Sequence, residues 1–137
     1  MTISWDEVAA HIRQAGPAHL ATATRDRRPH VSTVMTAVEG DLLWFATRVS
    51  SAKASNLRVN SQVALMWQPR VEVYVRGEAE LIDDRAEKAR VWELLPYEPA
   101  GFWGSPDNED WVLVRIRPDS AVVLNPTPQR WVSASPS

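Results

Sequence analysis

The chain has 137 residues, a net charge of −2 and no cysteine. These values exclude disulfides, thiolate catalysis and cysteine metal sites, and they give no basic surface of the kind that binds nucleic acid. No apolar run is long enough to cross a membrane and no signal peptide precedes the first predicted helix, so we expect a cytoplasmic protein without a membrane partner, folded as one domain over residues 1–137.

The first third of the chain predicts one helix followed by strands. Ser4 and Glu7 have the spacing of a capping box, and the helix that they start is stopped by Gly16-Pro17. Strands are predicted over residues 18–25, 30–38 and 42–46. Because Glu39-Gly40-Asp41 is a tight turn, we expect these three strands to form a meander. The third strand, Leu42 to Ala46, is apolar on both faces and should be covered on both sides.

The rest of the chain predicts further strands with two short helices. The alternation from Val71 to Leu81 indicates a long half-exposed antiparallel strand, with a bend or bulge at Gly77. Helices are predicted over about 51–59 and 84–95, the other strands over 63–68, 111–117 and 120–124, and a loop rich in Pro and Gly over 97–110. The tail, residues 126–137, is expected to be loose. This many short antiparallel strands predict a small closed barrel.

A cluster of hydroxyls and cations follows the third strand. Thr47 and Arg48 end the strand, and Ser50 and Ser51 open a short helix with Lys53 in its first turn. A phosphate monoester needs donors from several sides and compensating positive charge, which this pattern supplies. The alternative is that Ser50 or Ser51 only caps the helix. The three histidines are too scattered to predict a metal site.

Six segments in order resemble a known family. They are Arg28-Pro29-His30-Val31-Ser32, Leu43 to Thr47, Ser51 to Leu57, Val63-Ala64-Leu65, Val75 to Ala79, and Trp111 to Ile116. Their order and spacing resemble those of the pyridoxamine 5'-phosphate oxidase-like flavoproteins, in particular the general stress protein branch. The resemblance implies a mainly β fold, a six-stranded antiparallel split barrel, which forms a homodimer with FMN at the interface.

The resemblance also implies a set of cofactor-binding residues. The strand beginning at His30 would run along the flavin ring, with the polar cluster after the third strand around the phosphate. Arg48 would replace a basic residue that the oxidases often have at Ala52. Asn56 would steady the loop or reach the phosphate, and the alternative is that it is a surface residue of the helix. The ring contacts are expected from Ser32, Thr33, Val34 and Met35, and the phosphate contacts from Thr47, Arg48, Ser51, Lys53 and Asn56. Three tryptophans, Trp67, Trp103 and Trp111, either wall the substrate side of the ring or fill the dimer core.

Three functions follow as hypotheses. The first is an FMN-dependent oxidoreductase that transfers hydride between a nicotinamide or similar donor and a small conjugated substrate. The second is a reductase using the 8-hydroxy-5-deazaflavin coenzyme, whose polyglutamylated tail would suit Arg48 or Arg58. The third is a non-enzymatic protein that binds or senses a flavin or haem. True pyridoxamine 5'-phosphate oxidase activity is not expected. The oxidases end in a segment of Arg, His and Trp that binds the substrate phosphate and part of the flavin, whereas the tail of this chain has only Arg130-Trp131 in a different context.

Overall fold

The computed structural model describes residues 1–134, which form four helices and eight strands. The helices are α1 (Trp5–Gln14), α2 (Ala52–Val59), α3 (Arg85–Trp92) and α4 (Ala100–Trp103). The strands are β1 (Ala18–Ala23), β2 (Pro29–Val34), β3 (Ala37–Glu39), β4 (Leu42–Arg48), β5 (Gln62–Trp67), β6 (Glu72–Ile82), β7 (Trp111–Leu124) and β8 (Pro128–Val132). Within these residues, none of the helices has the length and apolar character needed to span a membrane.

The strands make one antiparallel sheet that curls on itself. Its order is β2-β1-β5-β6-β7-β4-β3, and β8 pairs with β7 outside this path. The two end strands, β2 and β3, are consecutive in the chain and are joined only by Met35 and Thr36. The Cα atoms of Val34 and Ala37 are three residue steps apart and therefore lie within roughly 11 Å of each other, so the two ends of the sheet must be close together. The predicted fold class, a mainly β antiparallel split barrel, is confirmed, with eight strands rather than six.

The core lies on both sides of β4. Leu43 and Phe45 pack with α1 and the inner faces of the strands in one apolar cluster. Trp44, which points the other way, packs with Val91 of α3 and with Leu113 in a second cluster. This confirms the expectation that the apolar run from Leu42 is covered on both sides.

The two hairpins of the predicted meander are present, but its middle strand is not continuous. β1 pairs with β2 and β3 pairs with β4, but β2 and β4 are not neighbours in the sheet. The predicted strand from His30 to Val38 is broken at Met35-Thr36, where the chain passes from one end of the sheet to the other. Alternation along a sequence marks the faces of a strand, whereas it does not specify which strand pairs with it.

The two strands predicted at the end of the chain are one strand, β7. Pro118, at which the prediction divided them, lies opposite Gly77, where the ladder between β6 and β7 shifts register. A proline lacks the N–H that a regular ladder requires, and a bulge is a position that tolerates it. A bulge at Gly77 was predicted, and the register shift confirms it.

The expectation of a loose tail is wrong for residues 128–132. They form β8, which pairs with Ser120–Leu124 of β7. Trp131 turns inward, with its ring centroid 4.8 Å from that of Trp5 on α1, so burial of an aromatic side chain stabilises this segment. Residues 135–137 lie outside the described residues.

Candidate functional site

A cavity of about 520 Å³ opens where three separate segments meet. The segments are the end of β2, the junction between β4 and α2, and the loop that carries α4. The residues lining the cavity are Thr33, Val34, Met35, Ala46, Thr47, Arg48, Ser50, Ser51, Lys53, Tyr97, Phe102 and Trp103. Eight of the twelve residues predicted for the site are in this set, and they come from parts of the chain that only the fold brings together.

Hydroxyl groups line the end of the cavity next to α2. Thr47 is buried at the end of β4, and its Oγ1 donates to Ser51 Oγ at 2.9 Å. Ser51 is the N-cap of α2, and its Oγ also accepts from the backbone N–H of Ala54 at 3.1 Å. Because Ser51 Oγ accepts both bonds, its own proton is available to a ligand. The capping role and a ligand-binding role are therefore compatible in the same side chain.

Positive charge accompanies these hydroxyls. Lys53 lies in the first turn of α2, where the backbone N–H groups of Ala52 and Lys53 have no partner within the helix. Among residues 1–134, neither Lys53 nor Arg48 has an acidic partner within 4 Å. Free N–H groups at a helix N-terminus, a serine hydroxyl and unpaired cations form an arrangement suited to an anion.

Aromatic rings line the part of the wall that the α4 loop forms. Trp103 Nε1 donates to the hydroxyl oxygen of Tyr97 at 2.9 Å, and Phe102 packs edge-on to Tyr97 with ring centroids 5.2 Å apart. Phe102 is 62% exposed at the rim. Burial raises the pKa of Tyr97 above its ordinary value, and the Trp103 hydrogen bond acts in the opposite direction. Tyr97 is thus a neutral phenol at physiological pH, and the wall presents flat apolar surfaces to an occupant.

The end of β2 contributes three of its four predicted residues. Thr33, Val34 and Met35 line the cavity, whereas Ser32 does not. Side chains alternate along a strand, so Ser32 points to the face opposite that of Thr33. Its Oγ is buried, with no hydrogen-bond partner within residues 1–134. The Ser32 side chain therefore does not line the cavity, and the predicted contact of Ser32 with a bound ring stays a prediction.

The structure places Asn56 away from the cavity. This residue is buried on α2, and its Nδ2 donates to Thr22 Oγ1 on β1 at 3.0 Å. The bond ties α2 to the sheet, so the side chain steadies the helix that carries Lys53, and Asn56 does not line the cavity.

Two of the three predicted tryptophans do not line the cavity. Trp67 and Trp111 are fully buried and belong to the two apolar clusters, so the prediction that they wall the cavity is corrected. Trp111 stacks against Trp103 with centroids 6.1 Å apart and planes at 25°, and therefore supports the wall from the inside. Only Trp103 of the three touches the cavity.

Four lining residues were absent from the predicted site. Ala46 and Ser50 are immediate neighbours of predicted residues, and their positions follow from the same strand and turn. Tyr97 and Phe102 come from the Pro- and Gly-rich loop, where no periodic pattern indicates which side chains turn inward. Their aromatic character was the only signal in the sequence.

The residues present fit a group that has a phosphate at one end and a flat apolar system at the other. Hydroxyls, helix N–H groups and two cations lie on the α2 side, and three aromatic rings lie on the α4 side. The volume is within the range of small-molecule and cofactor sites. Among residues 1–134, no group of three or more His, Asp or Glu is arranged to hold a metal ion.

Comparison with known proteins places the chain in a family. The model of the family described as pyridoxamine 5'-phosphate oxidase matches residues 4–123. The match covers most of the chain, so the chain belongs to this family, as its sequence motifs indicated. A comparison with curated proteins found no match.

Solved structures show the same fold. General stress protein 26 from Bacillus anthracis is 21% identical with a TM-score of 0.78, over 93% of this chain and 97% of that chain. A pyridoxamine 5'-phosphate oxidase-related, FMN-binding protein from Nostoc punctiforme is 22% identical with a TM-score of 0.71, over 96% and 92%. A protein named F420 reductase is 26% identical with a TM-score of 0.60, over 78% and 89%.

Proposed function

We propose that this protein is an FMN-binding oxidoreductase that transfers hydride between a nicotinamide or similar donor and a small conjugated substrate. The observation that carries the proposal is the single cavity in which Thr47, Ser51 and Lys53 lie at one side and Tyr97 and Trp103 at the other. The FMN-binding relative from Nostoc punctiforme supports the choice of cofactor.

Each part of the cavity has a defined task in this proposal. The Ser51 hydroxyl, the N–H groups of the first turn of α2 and the Lys53 ammonium hold the phosphate. The backbone from Thr33 to Met35 would border the ring, and Trp103 would limit the space on the α4 side of the cavity. Bound FMN supplies the hydride chemistry, while the protein orients the ring and keeps water from it.

The exposed face of the sheet supports a homodimer with the site at its interface. Val31, Ala21 and Ala64 form one row across β2, β1 and β5, and Met66 and Tyr74 lie in the next row. Val31 is 66% and Tyr74 39% exposed. These apolar side chains share the face with His19 and Arg76, and a mixed apolar and polar outer face of this kind is typical of a protein–protein interface. Thr33, which lines the cavity, lies on the same face, so a second copy would cover the edge of the site.

We do not propose pyridoxamine 5'-phosphate as the substrate. Trp131 packs on Trp5, and the pair Arg130-Trp131 belongs to a strand that pairs with β7. Neither residue lines the cavity, so the C-terminal segment adds no cation there to grip a second phosphate.

A deazaflavin coenzyme is the second candidate, and the F420 reductase neighbour favours it. The longer anionic tail of that coenzyme needs additional cations beside Lys53. Arg48 lines the cavity with its guanidinium 5.7 Å from the Trp103 ring centroid, and it can supply one. Arg58 donates to the carbonyl oxygen of Val49 and is committed to the turn before α2.

The absorbance spectrum and mass of the group that co-purifies with the protein test the proposal. The expected result is flavin absorbance, followed by bleaching when a nicotinamide is added without oxygen. Micromolar deazaflavin binding with negligible FMN binding would replace the first candidate by the second. Tight FMN binding without turnover by any donor and acceptor would make the protein a binding or sensing module.

A further inference from the structure

A buried lysine lies behind the aromatic wall, outside the cavity. Lys88 of α3 is 4% exposed, and its Nζ donates to the carbonyl oxygens of Trp111 at 2.8 Å and Asn108 at 3.0 Å. It also lies 4.4 Å from the centroid of the Trp111 ring. The one carboxylate within 4 Å, among residues 1–134, belongs to Asp83, at 3.6 Å and well exposed to solvent. Burying an ammonium is costly, so its contacts must compensate.

The two carbonyl groups that hold Lys88 belong to residues that contact Trp103. Asn108 Nδ2 donates to the carbonyl oxygen of Trp103 at 2.8 Å. The Trp111 ring stacks on the Trp103 ring, and its Nε1 donates to the carbonyl oxygen of Ser105 at 3.1 Å. Each of the two hydrogen bonds from the Lys88 ammonium therefore ends on a residue that itself contacts Trp103, which lines the cavity.

We propose that Lys88 is a positioning residue that fixes the aromatic wall of the cavity through Asn108 and Trp111. It does not touch the occupant. It orders the segment from Trp103 to Trp111, which has no regular strand or long helix of its own and is enriched in residues that favour turns. The inference rests on the proposed function only where it concerns a bound flavin.

The chain provides a matched control on the same helix. Arg85 also connects α3 to this loop, because its Nε lies 3.2 Å from Asp107 Oδ1. Both side chains of that pair are mostly exposed, and exposed pairs contribute little. Arg85→Met therefore removes a cation that joins the same two elements without removing a buried contact.

The first measurement needs no cofactor. Amide hydrogen exchange of residues 103–111 is compared between the unaltered protein, Lys88→Met and Arg85→Met. We expect Lys88→Met to speed exchange in this segment by about tenfold or more, while β5 and β6 keep their protection. Arg85→Met should resemble the unaltered protein. Unchanged exchange in Lys88→Met would overturn the proposal.

The second measurement tests the effect on the cavity. Dissociation constants for FMN and for riboflavin are determined well below the thermal midpoint of each variant, so that all the protein is folded. Lys88→Met should weaken both ligands by about three- to tenfold, the size expected for one lost aromatic contact. A lower midpoint with unchanged constants would show a purely structural role and overturn the proposal.

Two further outcomes are also decisive. If Lys88→Met does not fold, Asn108→Ala takes its place, because this change removes the bond to Trp103 and leaves the Asn108 carbonyl group on Lys88. Asn108→Ala must then speed exchange of residues 103–111 and weaken flavin binding, as expected for Lys88→Met. If it does neither, the proposal fails. If the unaltered protein binds neither flavin, the proposed function fails, and the exchange measurement alone decides the role of Lys88.

Discussion

The hydroxyl of Ser51 accepts two hydrogen bonds and keeps its own proton free, which makes it the central group at the polar end of the cavity. Thr47 is buried and donates to it, so the orientation of the Ser51 side chain is set by the strand before the turn and by the helix after it. A donor held from two sides loses little conformational entropy when a ligand arrives. Both hydrogen-bond partners of the Ser51 hydroxyl lie within four residues of it in the chain, so the local sequence alone specifies how this side chain is oriented.

The residues of the polar end could be predicted because they are neighbours in the chain. Thr47, Ser51 and Lys53 lie within one strand end and one helical turn, where spacing determines geometry. The role of Lys88 could not be predicted. Its burial depends on carbonyl groups that are about twenty residues away in sequence and that only the fold brings to its ammonium.

An ion pair beside Trp44 leads to a prediction of pH dependence. Glu39 accepts from Arg90, and Trp44 Nε1 donates to the same carboxylate at 3.0 Å. The Arg90 hydrogen bond is the main cause that holds the pKa of Glu39 below its ordinary value, although partial burial opposes it. A depressed pKa adds stability above the unfolded value of about 4.3, and this stability is lost as the pH falls through the lower folded value.

We therefore expect Glu39→Gln to reduce the fall in the free energy of unfolding between about pH 5 and pH 3. Urea unfolding at several pH values measures this. Glu98 is the matched control, since it is exposed and has no ion pair within residues 1–134. Equal acid sensitivity of Glu39→Gln and the unaltered protein would show that the pair contributes nothing to stability.

At the level of elements, the contact between β6 and β7 depends on one glycine. A Cβ atom on Gly77 would lie 2.4 Å from the carbonyl oxygen of Arg117 and 3.0 Å from Pro118 Cα. Both are backbone atoms, so they cannot rotate away as a side chain would. The bulge at this point thus requires a residue without a side chain.

Gly77→Ala should lower the free energy of unfolding by about 1–3 kcal/mol, the cost typical of overpacking. Chemical denaturation measures the change. Gly16→Ala is the control, because no atom lies within 4 Å of the position of its Cβ. A loss for Gly77→Ala that is no larger than the loss for Gly16→Ala would contradict the packing explanation.

Strand faces could be predicted from the sequence, whereas strand partners could not. The alternation along β6 places Val73 and Val75 in the core and Tyr74 outside, as expected. The break at Met35-Thr36 leaves no mark in the alternation, because the residues on both sides favour extended structure. Pairing across the sheet is a property of the whole barrel.

At the scale of the whole molecule, the exposed apolar rows of β2, β1 and β5 form the proposed dimer face. Val31→Glu places a carboxylate on the β2 side of this surface, and burying it against a second copy would be costly. We expect the variant to shift the protein from dimer to monomer. Sedimentation velocity at several concentrations measures the change.

Val59→Glu is the control for this prediction. Val59 is 43% exposed at the end of α2, which is not part of the sheet face. If Val31→Glu and Val59→Glu both leave a dimer intact, the interface lies elsewhere. If the unaltered protein is a monomer at every concentration, the homodimer proposal fails.

The central claim is that an anionic group binds where Ser51 and Lys53 meet and that a flat ring lies toward Trp103. Titration of FMN and riboflavin against the unaltered protein, Lys53→Ala and Arg117→Ala tests it most directly, since the two ligands differ only in the phosphate. We expect FMN to bind more tightly than riboflavin. We expect Lys53→Ala to weaken FMN alone, by about 1.5–3 kcal/mol, and the exposed Arg117→Ala to have no effect. Equal affinities for the two ligands in the unaltered protein, or an unchanged FMN affinity in Lys53→Ala, would contradict the account.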